Sequence, residues 1–202
     1  KDIYQSDKDS MKRTTPRIAI SNTGPLISAL QSNRMNILLQ LYDQIHIPAD
    51  EIREYRKHGA DLEIRRLIEA GFIVVHQDFV PEENEAAKAI ASEIANRPIT
   101  RDKNPEHHLP EAFAIILMQR GDLGAVELLM DELAARDVAR QRRVPFIGFP
   151  GILIRACWQR IIDPEDVLAA LVECQRQGTH YSNKLINEIY ESLKVSSSRK
   201  RP

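Results

Sequence analysis

Short apolar runs that end in polar clusters alternate along the chain with stretches whose apolar residues recur every three or four positions. Ile18-Ala-Ile20, Gln44-Ile-His-Ile47, Phe72-Ile-Val-Val75, Val126 to Met130 and Val144-Pro-Phe-Ile147 are short enough, and rich enough in β-branched residues, to be strands. Between them lie helical patterns. Asn22-Thr-Gly-Pro opens one, Met35 to Leu41 is a second, and Asp50 is placed to cap a third, in which Ile52 and Tyr55 form the apolar side while Glu51, Arg53 and Glu54 face elsewhere. Leu62, Ile64, Leu67 and Ile68 mark a fourth, stopped by Gly71. Pro81 to Asn96 follows, with Ala86, Ala89, Ile90 and Ile94 on one face. Pro110 then opens a strongly apolar helix, and Leu133 to Arg143 another.

Strict alternation of strand and helix predicts an α/β fold, an αβα sandwich around a parallel sheet of about five strands. Beyond it, Ile152 to Trp158, Pro164 to Gln177 and Ser182 to Leu193 read as helices only, and Cys157 and Trp158 as core. The expected organisation is an extension over 1–16, disordered or vector-encoded, and an α/β domain over 17–150. A helical extension packed on the same domain over 151–193 and a basic disordered tail over 194–202 complete it.

The formal net charge is only −1, so no global basic field marks a polyanion binder, and such binding must rest on local patches. Two cysteines, Cys157 and Cys174, without paired spacing give no disulfide framework or metal motif, and a reducing cytoplasm is the expected compartment. No apolar run reaches membrane-spanning length, and the first 16 residues lack the apolar block of a signal peptide.

Candidate chemistry gathers where strands end. Asn22 follows the first strand, Glu54 lies one turn beyond the second, and Asp131 and Glu132 follow the fourth, while Glu111 opens the preceding helix. In open parallel sheets these carboxyl ends border the ligand crevice. Carboxylates without a Cys or His set suit Mg²⁺ or Mn²⁺, hard cations that prefer oxygen. Each acid also fits a plain helix start, where negative charge is favoured whatever the function. Glu132, Arg136, Arg140 and Arg143 recur at helical spacing, a face fit to hold phosphates or simply to be solvated. His107 and His108 are adjacent in a long loop and do not match metal-ligand spacing.

Four stretches, Ile20-Ser-Asn-Thr-Gly-Pro-Leu-Ile27, Ile47-Pro-Ala-Asp-Glu-Ile-Arg-Glu54, Leu129-Met-Asp-Glu-Leu-Ala-Ala-Arg-Asp-Val-Ala139 and Val144-Pro-Phe-Ile-Gly148, occur in the order of the PIN-domain ribonucleases. The chain resembles that family over roughly residues 17 to 193, and most of all its VapC-like toxin branch, through Gly151-Ile-Leu-Ile-Arg-Ala156. The resemblance implies hydrolysis of RNA with Mg²⁺ or Mn²⁺, leaving a 3′-hydroxyl and a 5′-phosphate. It places the metal and catalytic positions on Asn22, Glu54, Glu111 and Asp131, with Glu132 as auxiliary; RNA contacts are expected from Thr23 and, on the basic helix face, from Arg136 and Arg140. It further implies a homodimer and an antitoxin partner. The chain departs from the pattern at two places: Asn22 stands where Asp is usual, and His108-Leu-Pro-Glu111 replaces the customary glycine-and-acid run. A PIN-fold module without catalysis is therefore the alternative. A nucleotide-binding α/β domain is disfavoured, because no Gly-rich phosphate loop follows the first strand.

Overall fold

The computed structural model describes residues 15–198. Expectations for residues 1–14 and 199–202 lie outside the described residues. Strands β1 (Ile18–Ser21), β2 (Gln44–Pro48), β3 (Ile73–His76), β4 (Ala125–Leu129) and β5 (Phe146–Ile147) form one sheet in the order β3-β2-β1-β4-β5, with every pairing parallel. Helices α1 (Thr23–Gln31), α2 (Met35–Leu41), α3 (Glu51–Lys57), α4 (Asp61–Glu69), α5 (Pro81–Ala95), α6 (Leu109–Arg120) and α7 (Leu133–Gln141) connect them, and a 3-10 turn over Pro105–His108 precedes α6. Helices α8 (Phe149–Trp158), α9 (Pro164–Arg176) and α10 (Asn183–Ser198) close the chain.

Pleating divides the strand residues between two cores. Ala19, Ile45, Ile47 and Leu129 pack on one face with α1 to α4, while Ile20, Leu128 and Met130 pack on the other with α5, α6 and α7. Helices on both faces make an αβα sandwich, which is why the strands are apolar without alternation. The C-terminal helices join the first core directly: Leu153, Val167, Leu171, Ile186, Ile189 and Leu193 lie in the same cluster as Leu26 and Ile45. Among the described residues no helix is long and apolar enough to cross a membrane.

Several local expectations are corrected. Helix α3 buries Glu51 and Tyr55 completely and leaves Ile52 half-exposed, so its inner face is turned from the one that Ile52 and Tyr55 suggest. Helix α5 buries Ala87 and Ala91 and exposes Ala89. Trp158 is 67% exposed at the end of α8, where the helix has run past the core. Leu62 is likewise exposed on α4. Helix α10 continues to Ser198, beyond the expected stop at Leu193.

Candidate active site

Strands β1 and β4 lie side by side, but the chain continues from β1 towards β2 on one side and from β4 towards β5 on the other. The connections after them diverge and leave a crevice at the carboxyl ends of the two strands. A cleft of about 910 Å³ opens there, lined among others by Asn22, Thr23, Glu54, Glu111, Asp131 and Glu132.

Asn22 is held by the backbone, its N–H donating to the carbonyl of Leu129 across the sheet at 3.1 Å. Its side chain is buried, and Nδ2 donates to Oε1 of Glu111 at 3.3 Å. Thr23, the first residue of α1, meets Glu51 from the start of α3, hydroxyl to Oε2. Asp131 accepts through Oδ1 from Nη2 of Arg136 at 2.9 Å and from the N–H of Phe149 at 3.0 Å. Glu132 caps α7, accepting from the N–H of Ala135 at 3.1 Å.

These contacts use one side of each polar group and leave the other bare. Oδ1 of Asn22, Oε1 of Glu51, Oε2 of Glu111 and Oδ2 of Asp131 are buried without a hydrogen-bond partner. Two of them flank Gly24: a Cβ placed there would lie 3.8 Å from Asn22 Oδ1 and 3.7 Å from Asp131 Oδ2. Partnerless buried oxygens are costly, and in native proteins they mark an ion, a water or a function.

Electrostatics agree. Burial, then the charge of Glu111, raises the carboxyl of Glu51 well above its ordinary range. Burial pushes Glu111 up to about 7, with Glu132 adding to the rise and Asn22 opposing it. Asp131 is raised by burial against the pull of the Phe149 N–H and Arg136. Burial also raises Glu132. These acids resist ionisation chiefly because they are buried, and a nearby positive charge would favour their ionised forms.

The sequence-predicted residues divide. Asn22, Thr23, Glu111 and Asp131 meet at the crevice floor, and Glu132 lies beside them. Glu54 lines the cleft but turns to the surface, where Lys57 approaches to 2.8 Å and His58 to 3.5 Å, and these contacts hold its pKa low. The acid that α3 delivers inward is Glu51, three residues earlier. Sequence reasoning passed it over because a glutamate at a helix start looks solvated, and only the fully buried Tyr55 at i+4 signals the inner face. Arg136 is turned inward onto Asp131 and the carbonyl of Met130. Arg140 pairs with Asp137 and lies over the ring of Phe146, on a separate groove of about 410 Å³. The basic side chains that line the main cleft are Arg53, Lys57 and His58 on α3 and its end, together with His107.

A family model described as DUF3368, a PIN domain, matches residues 18–195, nearly the whole described chain. The chain belongs to the PIN-domain family. Among curated proteins no sequence matches it. The PIN domain is a nuclease fold whose members typically use divalent metals.

Whether the residues of this PIN domain fit such an ion is a matter of donor chemistry and spacing. The bare atoms are all hard oxygens, as Mg²⁺ and Mn²⁺ require, and Glu51, Glu111 and Asp131 supply charge. Among the described residues, no three of the acids, histidines or cysteines stand close enough together to hold an ion as they are. The donor chemistry therefore fits such an ion.

Proposed function

We propose that this PIN domain is a Mg²⁺- or Mn²⁺-dependent endoribonuclease, the toxin of a toxin–antitoxin pair, acting as a homodimer. The observation that carries the nuclease reading is the set of partnerless buried oxygens on Asn22, Glu51, Glu111 and Asp131 at the sheet's switch point. The toxin, antitoxin and dimer assignments rest on the VapC-like sequence features.

Glu51, Glu111 and Asp131 would hold the metal, with the carbonyl of Asn22 as a neutral ligand and Glu132 at the margin. The metal supplies Lewis acidity toward the phosphate and a lowered pKa for a bound water. Thr23 keeps Glu51 turned inward, and Arg136 with the Phe149 N–H keeps one edge of Asp131 fixed, so its other edge faces the cleft. Arg53, which lines the cleft, is placed to meet phosphates, a role that Arg136, turned inward onto Asp131, does not offer.

A second reading is favoured by one residue. Asn22 brings an oxygen without a charge to the position usually anionic, which suits a module that binds RNA without cutting it. Incubating the protein with structured and unstructured RNA, in Mn²⁺ and in EDTA, separates the two. Cleavage in Mn²⁺ that EDTA abolishes supports the enzyme, and RNA retention without cleavage supports the module.

A further inference from the structure

The connection between α9 and α10 forms one wall of the cleft through Gln177, Gly178 and Thr179. It is tightly pinned. The N–H of Thr179 donates to the carbonyl of Cys174 at 2.9 Å, and that of Tyr181 to Thr179 at 2.9 Å. Nε2 of Gln175 donates to the carbonyl of Tyr181 at 2.8 Å and reaches Oδ1 of Asn183 at 2.9 Å. Gly178 takes φ of 99°, a backbone conformation open chiefly to glycine, so the turn keeps its shape.

This connection delivers one side chain towards the acid cluster. The ring of Tyr181 packs into the core that holds α1, α8 and α9, and its hydroxyl arrives within reach of Asp131 and Ser28. The hydroxyl is buried and closes no hydrogen bond. Oδ2 of Asp131 is buried and partnerless too. A lone donor and a lone acceptor on neighbouring side chains are each costly to leave unpaired, and each could satisfy the other.

We propose that Tyr181 is a positioning residue for Asp131, its hydroxyl donating to Oδ2 so that both carboxylate oxygens are fixed by the protein. The inference rests on the nuclease reading only in taking Asp131 as a metal ligand. Oδ1 is already fixed by Arg136 and the Phe149 N–H. A ligating carboxylate so anchored keeps its lone pairs directed into the cleft, and loss of an outer partner typically weakens metal affinity about 10- to 100-fold. The C-terminal helices then belong to the site itself.

The test is Mn²⁺ binding by the full chain without RNA, followed by electron paramagnetic resonance of the free ion. Tyr181→Phe, which keeps the ring in its core, should weaken binding by about tenfold or more, while Tyr190→Phe, whose hydroxyl meets Glu165 elsewhere, should not. Near-ultraviolet difference spectra give a second readout on the wild type: Mn²⁺ should perturb a tyrosine, and the band should vanish in Asp131→Asn and in Tyr181→Phe. Wild-type affinity in Tyr181→Phe, or a tyrosine band that persists in it, overturns the proposal. A wild type that binds Mn²⁺ through Asp131 but never cleaves RNA overturns the nuclease reading and leaves Tyr181 in its role. A wild type that binds no Mn²⁺ overturns both.

Discussion

Nη2 of Arg136 lies 2.9 Å from Oδ1 of Asp131, while Nε of the same guanidinium donates at 2.6 Å to the carbonyl of Met130. Arg136 therefore clamps the end of β4 to the first turn of α7 with a side chain only 22% exposed. A planar fork suits this double duty, and a lysine ammonium does not. Replacing Arg136 with Ala strands a buried carboxylate, so we predict a loss of about 1–3 kcal/mol in urea unfolding. RNA binding should keep the salt dependence of the wild type, because no phosphate contact is lost. A reduced salt slope would show Arg136 on the phosphates after all.

Gly148 exists for that clamp. Its φ of −100° is open to any residue, but a Cβ there would lie 1.6 Å from Arg136 Nη2 and 2.5 Å from Asp131 Oδ1. Gly148→Ala must expel the guanidinium, and we predict that it reproduces the Arg136→Ala phenotype. Both changes break the Arg136–Asp131 contact, so the double variant should lose less than the sum of the two single losses, with the clash on Asp131 Oδ1 left as the part due to Gly148→Ala alone. Additive losses in the unfolding free energies would contradict this.

The parallel sheet, both helix layers and the crevice position were legible because long apolar periodicity and strand-end chemistry are local signals. Asn22, Glu111 and Asp131 followed from the same logic, each at a strand end or helix start. Glu51 was not legible: its neighbours Asp50 and Glu54 are chemically alike, and only the packing of Tyr55 decides which acid turns inward. Arg136 and Arg140 share a helical face, but whether an arginine meets a phosphate or a carboxylate depends on what lies across from it, here Asp131 and Asp137. Tyr181 sits in a connection far along the chain, and nothing near it in sequence announces the site.

At the opposite end of the sheet, Glu127 accepts from Tyr42 at 2.8 Å and from Nη2 of Arg155 at 2.7 Å, and Arg17 approaches to 3.3 Å. Burial opposes its ionisation, yet the hydrogen bonds of Arg155 and Tyr42 outweigh it and hold the carboxyl below its ordinary value. Stability from such a group is present above the unfolded-state pKa and lost as pH falls through the folded one. We predict that Glu127→Ala costs about 3 kcal/mol or more through two stranded arginines, while leaving Mn²⁺ affinity intact. Unfolding and metal titration of the same variant check both halves.

The cleft acids have the opposite sign. Glu51 and Glu111 are raised in the folded protein, Glu111 from 4.5 to about 7, so their contribution is full below the unfolded pKa and lost as pH rises through the folded one. The metal-free protein should melt at progressively lower temperature as pH rises from about 4.5 past about 7. Glu51→Gln should flatten that fall, and Glu54→Gln, at a group held low by Lys57, should not. Mn²⁺ should flatten it as well, since the ion favours the ionised acids. A pH-independent melting temperature over this window would remove the buried-acid account.

Asn22 decides between enzyme and module. Its Nδ2 now donates to Glu111 at 3.3 Å, whereas a carboxylate in its place would oppose Glu111 at close range. Without metal, Asn22→Asp should therefore lower stability, by about 1.5–3 kcal/mol, as a lost hydrogen bond to a charged group costs. With metal the sign reverses, because the added charge attracts the cation that the cluster lacks, and Mn²⁺ should raise the melting temperature of the variant more than that of the wild type. Each roughly 1.4 kcal/mol of transition-state stabilisation is tenfold in rate, so cleavage by Asn22→Asp should exceed wild type by about tenfold or more. Asp131→Asn, which removes the anion that Arg136 and Phe149 hold in place, should abolish it. If neither wild type nor Asn22→Asp cleaves RNA in Mn²⁺ while both retain it, the site binds without cutting.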